Sequence, residues 1–204
     1  MSGPGRFWDE RFDRPDFVYG TEPNAFLAEQ VAGLQVTGAA LAVADGEGRN
    51  GVWLAEQGLS VTSVDASPVG LKKAMALGLK RGVRLTTVCA DLTLWDWPQG
   101  RFDVVACIFL HLPPDVRAVV HARMLQAAKP GGIVILEGFR PEQLAHGTGG
   151  PKDEAMLYSP SMLRHDFAEA EILSLESAEP TLSEGPFHAG QAATVRLVAR
   201  RPEV

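Results

Sequence analysis

Cysteine is scarce in this chain: Cys89 and Cys107 are the only two in 204 residues. Both lie in apolar runs that read as strands, and their spacing fits neither a metal motif nor a disulfide framework. A reducing, cytoplasmic setting is therefore expected. Long apolar runs are missing too, since none approaches the roughly 20 residues that span a bilayer, so no membrane role is expected. The opening stretch MSGPGRFWDERFDRPDF is polar and carries acids, unlike a signal peptide. Positive charge is not in excess: the net charge is -6, which gives nucleic-acid binding no support from bulk electrostatics. No two histidines have the i, i+4 spacing of a metal-binding helix, so no metal is expected. There is no GxSxG elbow and no GxxxxGK[ST] loop.

What is present is ordinary globular composition, 46% hydrophobic and 22% charged, in a chain whose length favours one domain over 1–204. Short helices are expected at 6–14 and 24–34, the second with Asn24 as N-cap and Gly33 near its end. A regular alternation follows. Strands read at 39–44, 60–64, 84–89, 102–108 and 132–138, and helices at 49–58, 67–80 and 114–128. Ser67-Pro68 is a good helix start, and Lys129-Pro130-Gly131-Gly132 reads as a helix stop that leads into a strand. Strands alternating with helices argue for an α/β fold with a parallel sheet and helices on both faces. Residues 140–160 are rich in Gly and Pro, with a short helix at 141–146. Loops this long are commonly lids or binding loops. Strands at 168–178 and 191–200 then predict a hairpin at the sheet edge.

The most informative stretch is 39–65: strand, glycine turn, helix, strand and terminal carboxylate. Gly46 and Gly48 allow a tight turn and close backbone approach. The helix they open has unsatisfied N–H groups that can hold a carboxylate or phosphate. Asp65 ends the second strand, where an acid hydrogen-bonds a ribose diol. Two cofactor classes fit. Gly46-x-Gly48-x-x-Gly51 is a literal dinucleotide fingerprint. Asp45 and Glu47 oppose it, because they would set like charge beside a pyrophosphate, at about 1 kcal/mol in water and more when shielded. S-adenosylmethionine (SAM) carries a sulfonium and an ammonium that acids attract, and a carboxylate for the helix N-terminus.

Downstream segments favour SAM. Ala90-Asp91-Leu92 follows the third strand, where a carboxylate can accept from an adenine amino group, and Ile108 to Leu112 runs into an apolar pocket edge. With these, the chain resembles the class I SAM-dependent methyltransferases over nearly its whole length. It is most similar to the small bacterial branch related to the tellurite-resistance methyltransferases. The segments carrying that match are Tyr19-Gly20-Thr21-Glu22-Pro23-Asn24, Gly46-Glu47-Gly48-Arg49-Asn50, Ile108 to Pro113, Leu136-Glu137-Gly138-Phe139 and Thr148 to Asp153.

The resemblance implies a Rossmann-like, seven-stranded, mostly parallel sheet with an antiparallel edge strand. Residues 1–34 would form a helical cap or lid, and 140–160 a substrate-side loop. It also implies that SAM is held by Tyr19, Ala44, Asp45, Gly46, Glu47, Gly48, Asn50, Asp65, Ala66, Ser67, Asp91, Leu92, Ile108 and Phe109. The product would be S-adenosylhomocysteine. The chain departs from the family at Ala42 and Ala44, where relatives carry an acid and then a glycine. Asp45 or Glu47 is the candidate substitute for that acid.

His111, after the fourth strand, and His188, between the last two strands, are the candidate catalytic residues, as orienter or base; His111 is alternatively a polar pocket-edge residue or a helix-adjacent cap, and His188 an exposed loop histidine. Arg49 is a candidate partner for Glu22 or a substrate anion, and Glu137 a candidate at the substrate end. The expected partner is a small-molecule acceptor with a soft nucleophilic S, Se or Te, and the expected state a monomer or homodimer. A non-catalytic SAM-binding module and an NAD-dependent oxidoreductase are the alternatives. The latter has little chain left for a catalytic domain and lacks a Tyr-x-x-x-Lys pair.

Overall fold

A computed structural model describes residues 4–203; residues 1–3 and 204, part of the expected cap and domain, lie outside the described residues. Helices α1 (Pro4–Phe12) and α2 (Ala25–Leu34) precede the alternation. Then come β1 (Ala39–Val43), α3 (Arg49–Glu56), β2 (Ser60–Asp65), α4 (Pro68–Lys80), β3 (Thr86–Cys89), β4 (Phe102–Ile108), α5 (Pro114–Ala127) and β5 (Ala128–Phe139). The chain continues with α6 (Pro160–Asp166), β6 (Glu171–Ala178), β7 (Thr181–Ser183), β8 (Ala189–Gln191) and β9 (Thr194–Arg200). Seven strands form one sheet in the order β3-β2-β1-β4-β5-β9-β6. Strands β1 to β5 pair in parallel, while β9 runs antiparallel to both β5 and β6. The edge strand β6 thus pairs antiparallel with its only neighbour. The reversed strand is β9, which lies inside it.

Alternation along the central strands sends side chains to two cores. Leu41, Val43, Val105 and Leu136 pack with Val120 and Met124 of α5 on one face. Ala40, Ala42, Val104 and Ile135 pack with Leu27 of α2 and Leu54 of α3 on the other. Helix starts follow local chemistry. Asn24 Oδ1 accepts from the Leu27 N–H, and Ser67 Oγ accepts from the Gly70 N–H with Pro68 in the first turn.

Three features depart from expectation. Strand β5 begins at Ala128, four residues early, because the Lys129–Gly132 turn is absorbed as an irregularity between Phe102↔Ala128 and Val104↔Ile133. Helix α6 was not anticipated. The link between β6 and β9 folds into a small separate hairpin, β7–β8, rather than a plain connection. The 140–160 segment carries 3-10 turns at Pro141–Ala145 and Glu154–Met156. It is tied to the residue before β9 through buried Gln143, whose Oε1 accepts from the Ala193 N–H at 2.8 Å while its Nε2 donates to Thr148 Oγ1 at 2.9 Å.

Candidate active site

A cavity of about 780 Å³ opens at the C-terminal ends of the parallel strands, the place where open α/β sheets bind ligands. Its floor is the turn after β1. Gly46 and Gly48 adopt φ of +57° and +87°, a region glycine enters without strain. A Cβ on Gly48 would also collide with the backbone and side chain of Ala74 in α4. Of the residues expected to hold a cofactor, all line this cavity except Gly48 and Ser67. Those two act from beneath, Gly48 as the cap of α3 and Ser67 as the cap of α4.

The two turn acids do a different job from the one their charge implied. Asp45 Oδ1 accepts from the Gly51 N–H at 3.0 Å and Oδ2 from the Ser63 hydroxyl at 2.8 Å. Glu47 Oε2 accepts from the Val18 N–H at 2.7 Å, and Glu47 pairs with Lys73. Both carboxylates are committed to protein partners, so neither stands free as a counter-ion for a cationic ligand. Asp45 instead organises the loop, as an acid at position 42 would in the family. Small Ala42 and Gly51 leave room for it, since a Cβ on Gly51 would meet both the Asp45 carboxylate and the Ala42 methyl. Ala44, where the family has glycine, holds φ of +51°, a conformation costing an L-residue about 1–2 kcal/mol. Ala44→Gly is expected to stabilise the fold. Relief of strain exceeds the roughly 0.5–1 kcal/mol of added chain freedom, for a Tm rise of about 2 °C. A lower Tm by calorimetry would show that the methyl packs more than the turn strains.

At the end of β2, Asp65 Oδ2 accepts from the Gly46 N–H and Oδ1 from the Ser67 N–H, both at 2.8 Å. Burial outweighs these bonds and pushes its pKa up to about 6. Asp91 receives the Thr93 N–H and hydroxyl on Oδ1.

Across the cavity, Phe109 is held at φ of +57°, with its N–H donated to the Glu137 carbonyl at 2.7 Å. This strained turn, the kind that clusters at functional sites, stacks its ring on Phe139 with centroids 4.5 Å apart. His111 lines the same wall, but both nitrogens are spent. Nδ1 lies 2.8 Å from the Met156 carbonyl, to which it donates, and Nε2 accepts the Phe139 N–H at 3.1 Å. Burial lowers its pKa to about 4. With no free lone pair, His111 is a neutral wall residue, and the expectation of a base there is corrected.

His188 differs. It is buried among Tyr19, Phe109 and Phe139, with ring centroids at 4.5, 4.7 and 5.3 Å. Its Nδ1 sits 3.5 Å from Glu184 Oε2, a long contact of the kind that tightens on substrate binding. Among the described residues, Nδ1 is buried without a hydrogen bond and no hydrogen bond uses Nε2, and the ring lines the cavity. Burial lowers its pKa and Glu184 works against that, so it is neutral near pH 7 and able to accept a proton.

Beneath His188 lies a polar network. Asn24 Nδ2 donates to Glu137 Oε2 at 2.7 Å and to Glu184 Oε1 at 2.9 Å. Glu137 Oε1 accepts from Thr194 and Arg196. Glu137 is thus consumed as a structural hub rather than facing substrate. Arg49 pairs with Glu184 at 2.8 Å, while Glu22 is taken by Arg81. Arg49 Nη1 is buried without a partner, and Arg49 lines the cavity at the N-terminus of α3. An unpaired guanidinium N–H beside free helix N–H groups fits the carboxylate of a methionine moiety. Asp65 at the strand end fits a ribose. Sequence reasoning missed Arg11, Phe139 and Met156 as lining residues and Glu184 as the partner of His188. The spacing Glu184-x-x-x-His188 within a turn was the available signal for that pair.

Residues 40–132 match the family described as methyltransferase domain. A glycine/sarcosine N-methyltransferase from Halorhodospira halochloris is 36% identical over 141 residues, which are 64% of this chain and 49% of that protein. The chain is thus similar to class I SAM-dependent methyltransferases, and its sheet has their Rossmann-like fold. It spans about half the length of that relative. Over 98% of this chain and 92% of the other, the methyltransferase fold matches a structure described for conversion of a disulfide bond into a thioacetal group during echinomycin biosynthesis. The TM-score is 0.80 at 22% identity. TehB from Haemophilus influenzae matches at a TM-score of 0.70 and 13% identity, over 97% of this chain and 66% of that one. At these identities the structures establish the methyltransferase fold. Among the described residues, no helix is long and apolar enough to cross a membrane and no cluster suits a metal ion.

Proposed function

We propose that this protein transfers the SAM methyl group to a small, weakly acidic acceptor, with a thiol favoured, and that His188 takes the acceptor's proton. The observation that carries this is one cavity lined by the glycine turn and Asp65 at one part and by His188 at another. Asp65 would receive the ribose hydroxyls, Asp91 and Leu92 would flank the adenine, and Arg49 with the turn at 44–48 would hold the methionine end. Bound SAM supplies an electrophilic methyl on a sulfonium. The protein's share is alignment and exclusion of water, which can contribute several kcal/mol.

The acceptor end is walled by Phe109, Leu112, Val116, Phe139 and Met156, with Gly150 and Pro151 from the substrate-side loop. That lining suits an apolar acceptor better than a hydrated oxyanion. A thiol is already partly ionised near pH 7 and strongly nucleophilic, so a neutral imidazole suffices as base. The soft-acceptor chemistry of the tellurite-resistance branch points the same way. The structural match associated with disulfide-to-thioacetal conversion also concerns sulfur, while the curated relative's acceptors are amines.

A panel assay with methyl-labelled SAM tests this reading, using apolar thiols, phenols, glycine and sarcosine, selenite and tellurite. Label in an apolar thiol, with the charged acceptors far slower, is expected. Preferred methylation of sarcosine or tellurite would overturn the acceptor class. SAM binding without turnover on any member would favour a binding module.

A further inference from the structure

The base of this site is gripped by a carboxylate that the cofactor side also holds. We propose that Glu184 is a positioning residue that fixes the tautomer of His188 and, through Arg49, couples its strength as a base to occupancy of the cofactor end. The inference deepens the methyl-transfer reading and rests on it.

Glu184 and His188 close the same turn between β7 and β8, where the Glu184 N–H donates to the His188 carbonyl at 2.8 Å. The turn is pinned against the N-terminal segment. Gly185 has φ of +77°, and a Cβ there would come within 2.6 Å of Gly20 N and 2.7 Å of the Val18 carbonyl. Acid and imidazole are therefore held in register by backbone, not by flexible loops. The Glu184 carboxylate, 10% exposed, divides its oxygens. Oε1 takes the Asn24 amide, while Oε2 takes Arg49 at 2.8 Å and faces His188 Nδ1 at 3.5 Å. At 3.5 Å this contact is longer than a formed hydrogen bond, yet it is the acceptor that faces Nδ1 and so favours the tautomer with hydrogen there, which leaves the Nε2 lone pair free.

Arg49 is the link to the cofactor. Its Nη2 belongs to Glu184, its Nη1 is buried and unpartnered, and the residue lines the cavity. An anion reaching Nη1 shares the guanidinium charge, and Glu184 is then left more fully to His188. The charges facing His188 are Glu184, which favours the imidazolium, and Arg49 and Arg11, which oppose it. Tyr19 packs on its ring, with its hydroxyl accepting from Arg11. His111 is close enough to oppose the imidazolium but is held neutral. Drawing Arg49 toward a ligand anion thus raises the basicity of His188 when methyl donor is in place.

The test is ring 15N NMR of the histidines in wild type and Glu184→Gln, with and without S-adenosylhomocysteine, His188 being assigned by His188→Asn. Wild type is expected to show the Nδ1–H tautomer at His188 and a titration midpoint that moves up when S-adenosylhomocysteine binds. Glu184→Gln keeps the Asn24 contact but loses the charge. Its His188 midpoint should fall and no longer respond to the ligand. Its kcat should drop by roughly 10- to 100-fold, part of what a positioned base supplies, and SAM affinity should shift as well, because Arg49 loses its carboxylate partner. A merely structural Glu184 would lower Tm and leave tautomer and midpoint unmoved, which overturns the proposal; so does a wild-type midpoint indifferent to bound S-adenosylhomocysteine. Failure of the ligand to bind, or of wild type to methylate any acceptor, would instead sink the methyl-transfer reading. The ligand-free tautomer would still decide whether Glu184 orients His188.

Discussion

Replacing Asp65 by asparagine is expected to weaken SAM binding on the order of 100-fold, the loss of two charge-assisted hydrogen bonds worth about 1.5–3 kcal/mol each, part of which the amide recovers. The carboxylate already accepts one backbone N–H on each oxygen, from Gly46 and Ser67. Its remaining lone pairs are what a ribose diol would use. An asparagine cannot serve both N–H groups, because its amide nitrogen would face one of them as donor against donor. Melting of the ligand-free variant separates loss of fold from loss of binding; calorimetry showing wild-type affinity in a folded Asp65→Asn protein would contradict the assignment. The same residue makes a pH prediction. Its pKa rises from 3.8 to about 6 on folding, so it is an acceptor-only carboxylate above about pH 6 and neutral below. SAM affinity should fall as pH drops through that range. Stability runs the other way: the folded state takes up this proton more readily than the unfolded one. The resulting stabilisation is complete below pH 3.8 and lost as pH rises through about 6.

His188→Ala is expected to lower kcat by roughly 10²–10⁴ for acceptors that must lose a proton, the usual contribution of a positioned base. KM for SAM should change little, because His188 sits on the acceptor side of the cavity against Phe109 and Phe139. The loss should shrink for a thiol assayed well above its own pKa, where the nucleophile arrives deprotonated. Rates over a pH series with one thiol and one phenol check this. An undiminished kcat for the phenol would mean that the proton leaves by another route. His111→Ala, by contrast, removes an acceptor for the Phe139 N–H and a donor to Met156, so it is expected to act through stability and pocket shape.

Much of this was legible in the residues. The strand–turn–helix–strand unit at 39–65 is written in local chemistry: apolar strands, glycines where φ is positive, and an acid at a strand end. Asn24 and Ser67 are caps that need only their nearest neighbours. What escaped depends on partners far apart in sequence. Asp45 and Glu47 read as charges facing a ligand, yet one is answered by Ser63 and Gly51 and the other by Val18 and Lys73. His111 read as a base because nothing local says that Met156 and Phe139 occupy it. The hairpin β7–β8 has strands of three residues each, too short for alternation to announce. Glu184 meets Arg49 and Asn24 only because the N-terminal segment folds back over the turn. For the family acid missing at position 42 the residues offered Asp45 or Glu47 as substitute, and the fold chooses Asp45, whose carboxylate sits against Gly51, beside the Ala42 methyl.

The central claim is that the turn at 44–48 and Asp65 form a SAM site rather than a dinucleotide site. Calorimetric titration of the intact protein with SAM and, separately, with NADH tests it most directly. Saturable, one-to-one SAM binding in the micromolar range is expected, with no comparable binding of NADH. An absence of SAM binding at millimolar ligand, or tighter binding of NADH, would contradict it.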